Sequence, residues 1–254
     1  MRTALKVLGM LLLVALVGGG LIGYQTFGMN RAIEPGATFG KVKAIQTSYV
    51  QCFMIDVGDG RVALIDAGMN KDGKEIKAEL AARKLGDDAV IAVLLTHNHG
   101  DHTDGLAAFP RARVYSTAAE VPFLERRAAA HSPIAAVMKP DWPAVKATDL
   151  FEDGATLQLG DTAIKAFVVP GHTPGSVAYL ADGVLFLGDS AAIRKDGSLL
   201  PAPWVFSEDT AQNQRELVKL AARLKGETVS VLAPAHSGAA TSREPLDAFA
   251  ARAP

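Results

Sequence analysis

At 254 residues the chain is long enough for one large α/β domain with a sizeable core. A formal net charge of −1 leaves no basic excess to follow a phosphate backbone, which excludes nucleic acid as the expected partner. Cys52 is the only cysteine, so an intramolecular disulfide and a cysteine-based metal site are both ruled out; its place inside an apolar strand reads as a buried core thiol.

Arg2 and Lys6 precede an uncharged, largely apolar run from Val7 to Tyr24. That layout marks residues 1–24 as a signal anchor or a cleaved signal peptide. In both cases the positive N-terminus stays inside, and the expected location is a membrane-anchored domain outside the cytoplasm, periplasmic or extracellular, with a cleaved secreted form as the alternative. Residues 25–40, with Pro35, Gly36 and Gly40, read as a linker, and 41–254 as one domain.

Residues 41–47, 49–57 and 61–66 read as consecutive strands, the last two joined at Gly58-Asp59-Gly60. A helix is expected over 71–85, with Ala78, Ala81, Ala82 and Leu85 on one stripe and Ile76 with Leu80 on a second, stopped by Gly86. The apolar run 90–95 reads as a buried strand, and a short helix is expected over 106–109, its N-terminus holding Asp101 in the charged form. From 118 to 153 the alternation breaks at Pro122, Pro133, Pro140 and Pro143, which reads as a helical insertion or lid. Strands resume over 162–169, 176–180 and 184–187, and 190–206 is a loop. Ser207 is expected to cap a helix that ends at Gly226; a strand over 229–233 and a short helix around 245–251 close the chain.

The chemistry is concentrated where the strand 90–95 ends, in Thr96-His97-Asn98-His99-Gly100-Asp101-His102. In extended chain, side chains at i and i+2 point the same way, so His97 and His99 converge on one point. Asp101 and His102 lie one step on and diverge from each other, an arrangement that suits two neighbouring cations better than one.

His-x-His-x-Asp-His at the end of an apolar strand resembles the metal-binding motif of the metallo-β-lactamase superfamily, whose members are mostly hydrolases using two zinc ions. The family pattern continues in Gly171-His172-Thr173-Pro174-Gly175-Ser176, in Gly188-Asp189-Ser190 and in Ala235-His236-Ser237. Of six histidines only His131 falls outside these motifs, and it reads as structural. The resemblance implies a four-layer αββα sandwich with the metal site at one edge. It assigns His97, His99 and His172 to one metal and Asp101, His102 and His236 to the other, with Asp189 bridging and Asp66 beneath as a supporting aspartate. Nitrogen and oxygen donors suit zinc, two ions per chain, and also accept manganese or iron. Metals sharing a water lower its pKa from 15.7 towards about 7, and Asp101 is expected to hold or accept that water's proton as the catalytic residue.

The implied reaction is hydrolysis of a small-molecule ester, thioester or lactone, with a β-lactamase as the alternative. A non-catalytic metal-binding or interaction protein at the membrane is the alternative of another class. Glyoxalase II is similar at every ligand but carries a substantial C-terminal helical region, whereas few residues follow His236. Acyl-homoserine lactonases usually show a tyrosine soon after the bridging aspartate, where this chain has Ala191, Ala192 and Ile193. Trp142 and Trp204 are candidate walls of the substrate pocket.

Overall fold

The computed structural model describes residues 10, 16–21, 23–137 and 142–252. Half of the apolar run 7–24, expected as an anchor or signal peptide, lies outside them. Among the described residues no helix is long and apolar enough to cross a membrane.

Seven strands form the first sheet in chain order: β1 (Thr38–Phe39), β2 (Val42–Thr47), β3 (Val50–Asp56), β4 (Val62–Ile65), β5 (Val90–Leu94), β6 (Arg113–Ser116) and β7 (Asp149–Leu150). Pairing is antiparallel up to β4 and parallel from there, with Ile65 opposite Leu94 and Leu94 opposite Tyr115. The second sheet is built from β8 (Thr156–Leu159), β9 (Thr162–Val168), β10 (Val177–Ala181), β11 (Val184–Gly188) and β14 (Val231–Pro234), in the order β14-β11-β10-β9-β8. β12 (Ala191–Ile193) and β13 (Leu199–Pro201) make a separate ribbon.

Period-two alternation explains why β3 is apolar along both faces. Phe53 and Ile55 enter the core between the sheets, where Phe53 meets Phe186 with ring centroids 5.0 Å apart, while Cys52 and Met54 face the helical side. Cys52 is buried, and burial raises its thiol pKa, in keeping with a core role. The sheets are also joined by polar bonds: the Tyr179 hydroxyl donates to the Leu95 carbonyl at 2.8 Å, and the Val177 amide to the Thr96 carbonyl at 2.8 Å. Helices α1 (Lys74–Ala82), α4 (Thr210–Arg223) and α5 (Glu244–Arg252) cover the outer faces, completing the expected αββα layering.

Several expectations are corrected. The first helix is shorter than 71–85, and its buried face is Ile76 and Leu80; Ala78, Ala81 and Ala82 face solvent, because large side chains gain more from burial than alanine does. The short helix after the histidine motif is α2 (Gly100–Thr103), continued by a 3-10 turn over Asp104–Ala108, so Asp101 sits inside its first turn. The cap of α4 is Asp209, whose Oδ1 accepts from the Gln212 amide at 2.8 Å, rather than Ser207. Within 118–153 the described helical parts are α3 (Val121–Leu124) and a 3-10 turn over Pro133–Ala136; residues 138–141 lie outside the described residues. The stretch 25–40 includes a π-helical turn over Tyr24–Gly28 and β1, and residues 29–31 bond to the body of the domain.

Candidate metal centre

Every motif side chain arrives at the same end of the sandwich. Asp66 follows β4, His97 and His99 follow β5, His172 follows β9, Asp189 follows β11 and His236 follows β14. Where parallel strands end together, their loops converge on one crevice. The result is two contiguous groups: His97, His99, His172 and Asp189 in one, Asp101, His102 and His236 in the other. His131 lies elsewhere, its exposed ring 3.4 Å from Glu208.

Partners behind the rings fix which nitrogen faces inward. His102 Nδ1 donates to Asp66 Oδ2 at 2.8 Å, leaving Nε2 toward the centre. The Thr96 hydroxyl gives its only proton to Asp66 Oδ2 at 2.7 Å, so it accepts from His97 Nδ1 at 3.0 Å. The Ser207 hydroxyl donates to the Pro203 carbonyl at 2.8 Å and therefore accepts from His172 Nδ1 at 3.1 Å. The Tyr49 carbonyl, which can only accept, takes the Nδ1 proton of His236 at 3.2 Å. Four Nε2 atoms are thus aimed inward by four separate acceptors.

The first group is a cage of neutral nitrogens. His172 Nε2 lies 3.3 Å from His97 Nε2 and 3.1 Å from His99 Nδ1. Burial, together with neighbouring histidines, drives the His97 pKa well below its ordinary value, that of His99 down to about 3 and that of His172 to about 4. The second group has the opposite character. Burial opposes charge on His102 and His236, yet Asp189 and Asp101 outweigh it, raising the His102 pKa well above normal and that of His236 to about 10. Burial likewise opposes the charge on Asp101 and Asp189, and the adjacent histidines overcome it, so both carboxyls are held below the usual range.

These residues fit divalent metal. The Nε2 lone pairs of His97 and His172 face each other at 3.3 Å with no proton between them, and His99 Nδ1 points at the same spot, an arrangement that a cation satisfies. His102 Nε2 and Asp189 Oδ1 are both buried and face each other at 3.3 Å without an aligned hydrogen bond. The donor set is all imidazole and carboxylate, which zinc, manganese and iron each accept.

Beyond Asp66, the supports were not visible as a motif. Glu120, in the region expected to be a lid, is buried and joins the two loops of the first group: it accepts from Asn98 Nδ2 at 2.5 Å, Thr173 Oγ1 at 2.7 Å and the Gly175 amide at 2.7 Å. An acid just beyond β6, on the motif-bearing end, was the available signal. Gln51 Nε2 donates to the carbonyls of Pro234 and Ser237 at 2.7 and 2.8 Å, bracing the loop of His236. Gly171 has φ +127°, and a Cβ there would fall on the Asn213 backbone, so glycine is required where His172 turns inward. Trp142 packs over Gly100, its ring centroid 5.4 Å from that of His99. Trp204 is 48% exposed, and it is Phe206, two residues on, that reaches the rim through Phe27 at 6.1 Å.

The fold and this constellation define a metallo-β-lactamase-type metal centre. A family model described as the metallo-beta-lactamase superfamily matches residues 46–236, and the chain belongs to that superfamily. Among curated relatives, a hydroxyacylglutathione hydrolase of Vibrio campbellii is 30% identical over 152 residues, 58% of this chain and 48% of that protein. One from Aeromonas hydrophila is 32% identical over 163 residues, covering 63% and 51%. The chain thus spans about half the length of the curated relatives it matches. A solved B3 metallo-beta-lactamase with an active-site glutamic acid superposes with a TM-score of 0.66 over 90% of both chains at 21% identity, a likeness of fold alone.

Proposed function

We propose that this chain is a dinuclear zinc hydrolase that cleaves a small ester, thioester or lactone. The observation that carries this reading is the reach of Asp189. Its carboxylate lies 3.2 Å from His236 and 3.3 Å from His102 in one group, and 3.6 Å from His172 in the other, so one side chain addresses both. His97, His99 and His172 would hold one ion, Asp101, His102 and His236 the second, with Asp189 between them.

Divalent cations held there supply Lewis acidity and bring a water's pKa towards about 7. The chain's own groups do the rest. Asp101, whose Oδ2 is 3.2 Å from His236 Nε2, is placed to accept the water's proton and return it to the leaving group. Asp66, Thr96, Ser207 and the Tyr49 carbonyl keep the imidazoles in the one tautomer that presents a lone pair. Trp142 limits water beside His99. The hydroxyacylglutathione hydrolases among the relatives support a thioester, since an acyl glutathione is one. The charge-then-apolar layout of residues 1–24 supports a domain anchored outside the cytoplasm; accessibility to added protease in spheroplasts tests that placement.

The test is to purify the full chain in detergent, count metal per chain, and assay lactone, thioester, ester and cephalosporin panels. About two ions per chain and ester, thioester or lactone turnover that His99→Ala abolishes is the expected result. Turnover of cephalosporins alone would make the chain a β-lactamase instead. Two ions without turnover would mark a non-catalytic metal-binding protein, and no metal after zinc reconstitution would overturn the reading altogether.

A further inference from the structure

Residues 27–31 do not leave the domain as a free tether; they are tied to the rim of the metal centre. The Arg31 amide donates to the Ile193 carbonyl at 2.8 Å, the Gly238 amide to the Arg31 carbonyl at 2.9 Å, and the Lys195 amide to the Met29 carbonyl at 3.0 Å. Arg31 Nη1 donates to the Ala239 carbonyl at 2.8 Å, and Asn30 Nδ2 to the carbonyl of His236 itself at 3.1 Å. These bonds place the Phe27 ring edge-on to His236, centroids 5.9 Å apart. The Tyr49 ring, from the turn between β2 and β3, stacks on His236 with centroids 5.6 Å apart.

Both rings remain open to solvent, Phe27 at 44% and Tyr49 at 53% exposure. Polar backbone ties rather than apolar burial hold them beside the centre, leaving about half of each surface free for something else. Three cationic side chains help hold this segment in place: Arg31 bonds the Ala239 carbonyl, Lys195 Nζ donates to the Gly28 carbonyl at 2.7 Å, and Arg194 lies against the Met29 sulfur at 3.0 Å. An alkyl chain arriving beside His236 meets two half-exposed aromatic rings.

We infer that Phe27 and Tyr49, both packed against His236, form an apolar clamp that selects substrates carrying an extended apolar acyl chain. This deepens the hydrolase reading and rests on it. Phe27 and Tyr49 act as specificity-determining residues, and Arg31 as a positioning residue that sets Phe27. Each methylene that moves from water onto apolar surface is worth roughly fourfold in affinity, so a few contacts with each ring amount to about tenfold.

The experiment uses the full chain, zinc-loaded, with p-nitrophenyl acetate and decanoate as the substrate pair and decanoate ion as a binding probe by titration calorimetry. Partitioning of the long ester into detergent is common to parent and variants and cancels when their ratios are compared. Phe27→Ala is expected to lower the decanoate-to-acetate ratio of kcat/KM about tenfold and to weaken decanoate binding about tenfold, with Tyr49→Ala and Arg31→Ala shifting both in the same direction. Metal per chain verifies that each variant folds. Unchanged ratio and binding in folded Phe27→Ala and Tyr49→Ala would overturn the clamp while leaving the hydrolase reading intact. Should the parent turn over no ester, thioester or lactone, the hydrolase reading fails, and decanoate binding no tighter than acetate binding would then overturn the clamp by itself.

Discussion

The two ligand groups occupy one crevice yet solve opposite problems. His97, His99 and His172 are buried neutral rings whose lone pairs crowd together, whereas His102 and His236 sit among Asp101, Asp189 and Asp66 and hold protons that the carboxylates favour. Burial is shared, so the difference comes from where the acids are. The first group is open to a cation at neutral pH without losing a proton, and the second must exchange protons for one.

The sharpest way to break this contrast is to delete a nitrogen from each group. His99→Ala and His102→Ala should each lower kcat by at least about 10³-fold, since hydrolysis needs both groups. Metal per chain, read by mass spectrometry, should fall by about one in each; equal loss of both ions from either variant would show that the groups are a single site. Next in size are the supports. Asp66→Asn, acting behind His102, is expected to weaken zinc at the second group by about 10–100-fold in competition titrations. Glu120→Ala should act on the first group instead, because it leaves the donors of Asn98, Thr173 and Gly175 without an acceptor; a lower Tm and weaker zinc there, with the second group spared, is the expected pattern.

Proton linkage separates the groups by sign. In chelated protein the raised pKa values of His102 and His236 contribute stability that is full below the unfolded histidine value of 6.5 and lost as pH rises through the folded values, about 10 for His236. The depressed values of His97, His99 and His172 contribute the reverse, stability present above 6.5 and lost as pH falls towards about 4 and 3. Tm of the chelated protein should therefore fall on both sides of neutrality, and zinc should flatten the alkaline side. A chelated protein with constant Tm from pH 7 to 10 would remove the second group's distinction. The smallest expected effect is that of Ser207→Ala, which deprives His172 Nδ1 of its acceptor and should cost about 1 kcal/mol in zinc binding at the first group.

What could be read in the residues follows the same divide between direct contact and support. The positions now gathered at the crevice are visible in sequence because each lies at the end of an apolar strand, and strand ends are marked by abrupt polarity. The layers are legible because strands buried on both faces read as unbroken apolar runs. Glu120, Thr96, Ser207 and Gln51 are not legible, since each works through a hydrogen bond to a residue distant in the chain or through one hydroxyl among many. Ser207 illustrates why: its sequence context fits a helix cap, but Asp209 caps the helix and the hydroxyl is turned onto His172. The alanine stripe of the first helix misleads for a simpler reason, as periodicity shows that a face exists without showing which of two faces is heavier.

The position of β14 has a consequence for biosynthesis. It is the last of the described strands, yet it lies parallel beside β11, so His236 reaches the crevice only after the other strands of both sheets have been made. A nascent chain that has emerged through Asp189 already contains the three neutral imidazoles of the first group, while Gln51 still lacks the two carbonyls it will brace and the second group lacks a nitrogen. The second group is complete only once the chain has been made through His236.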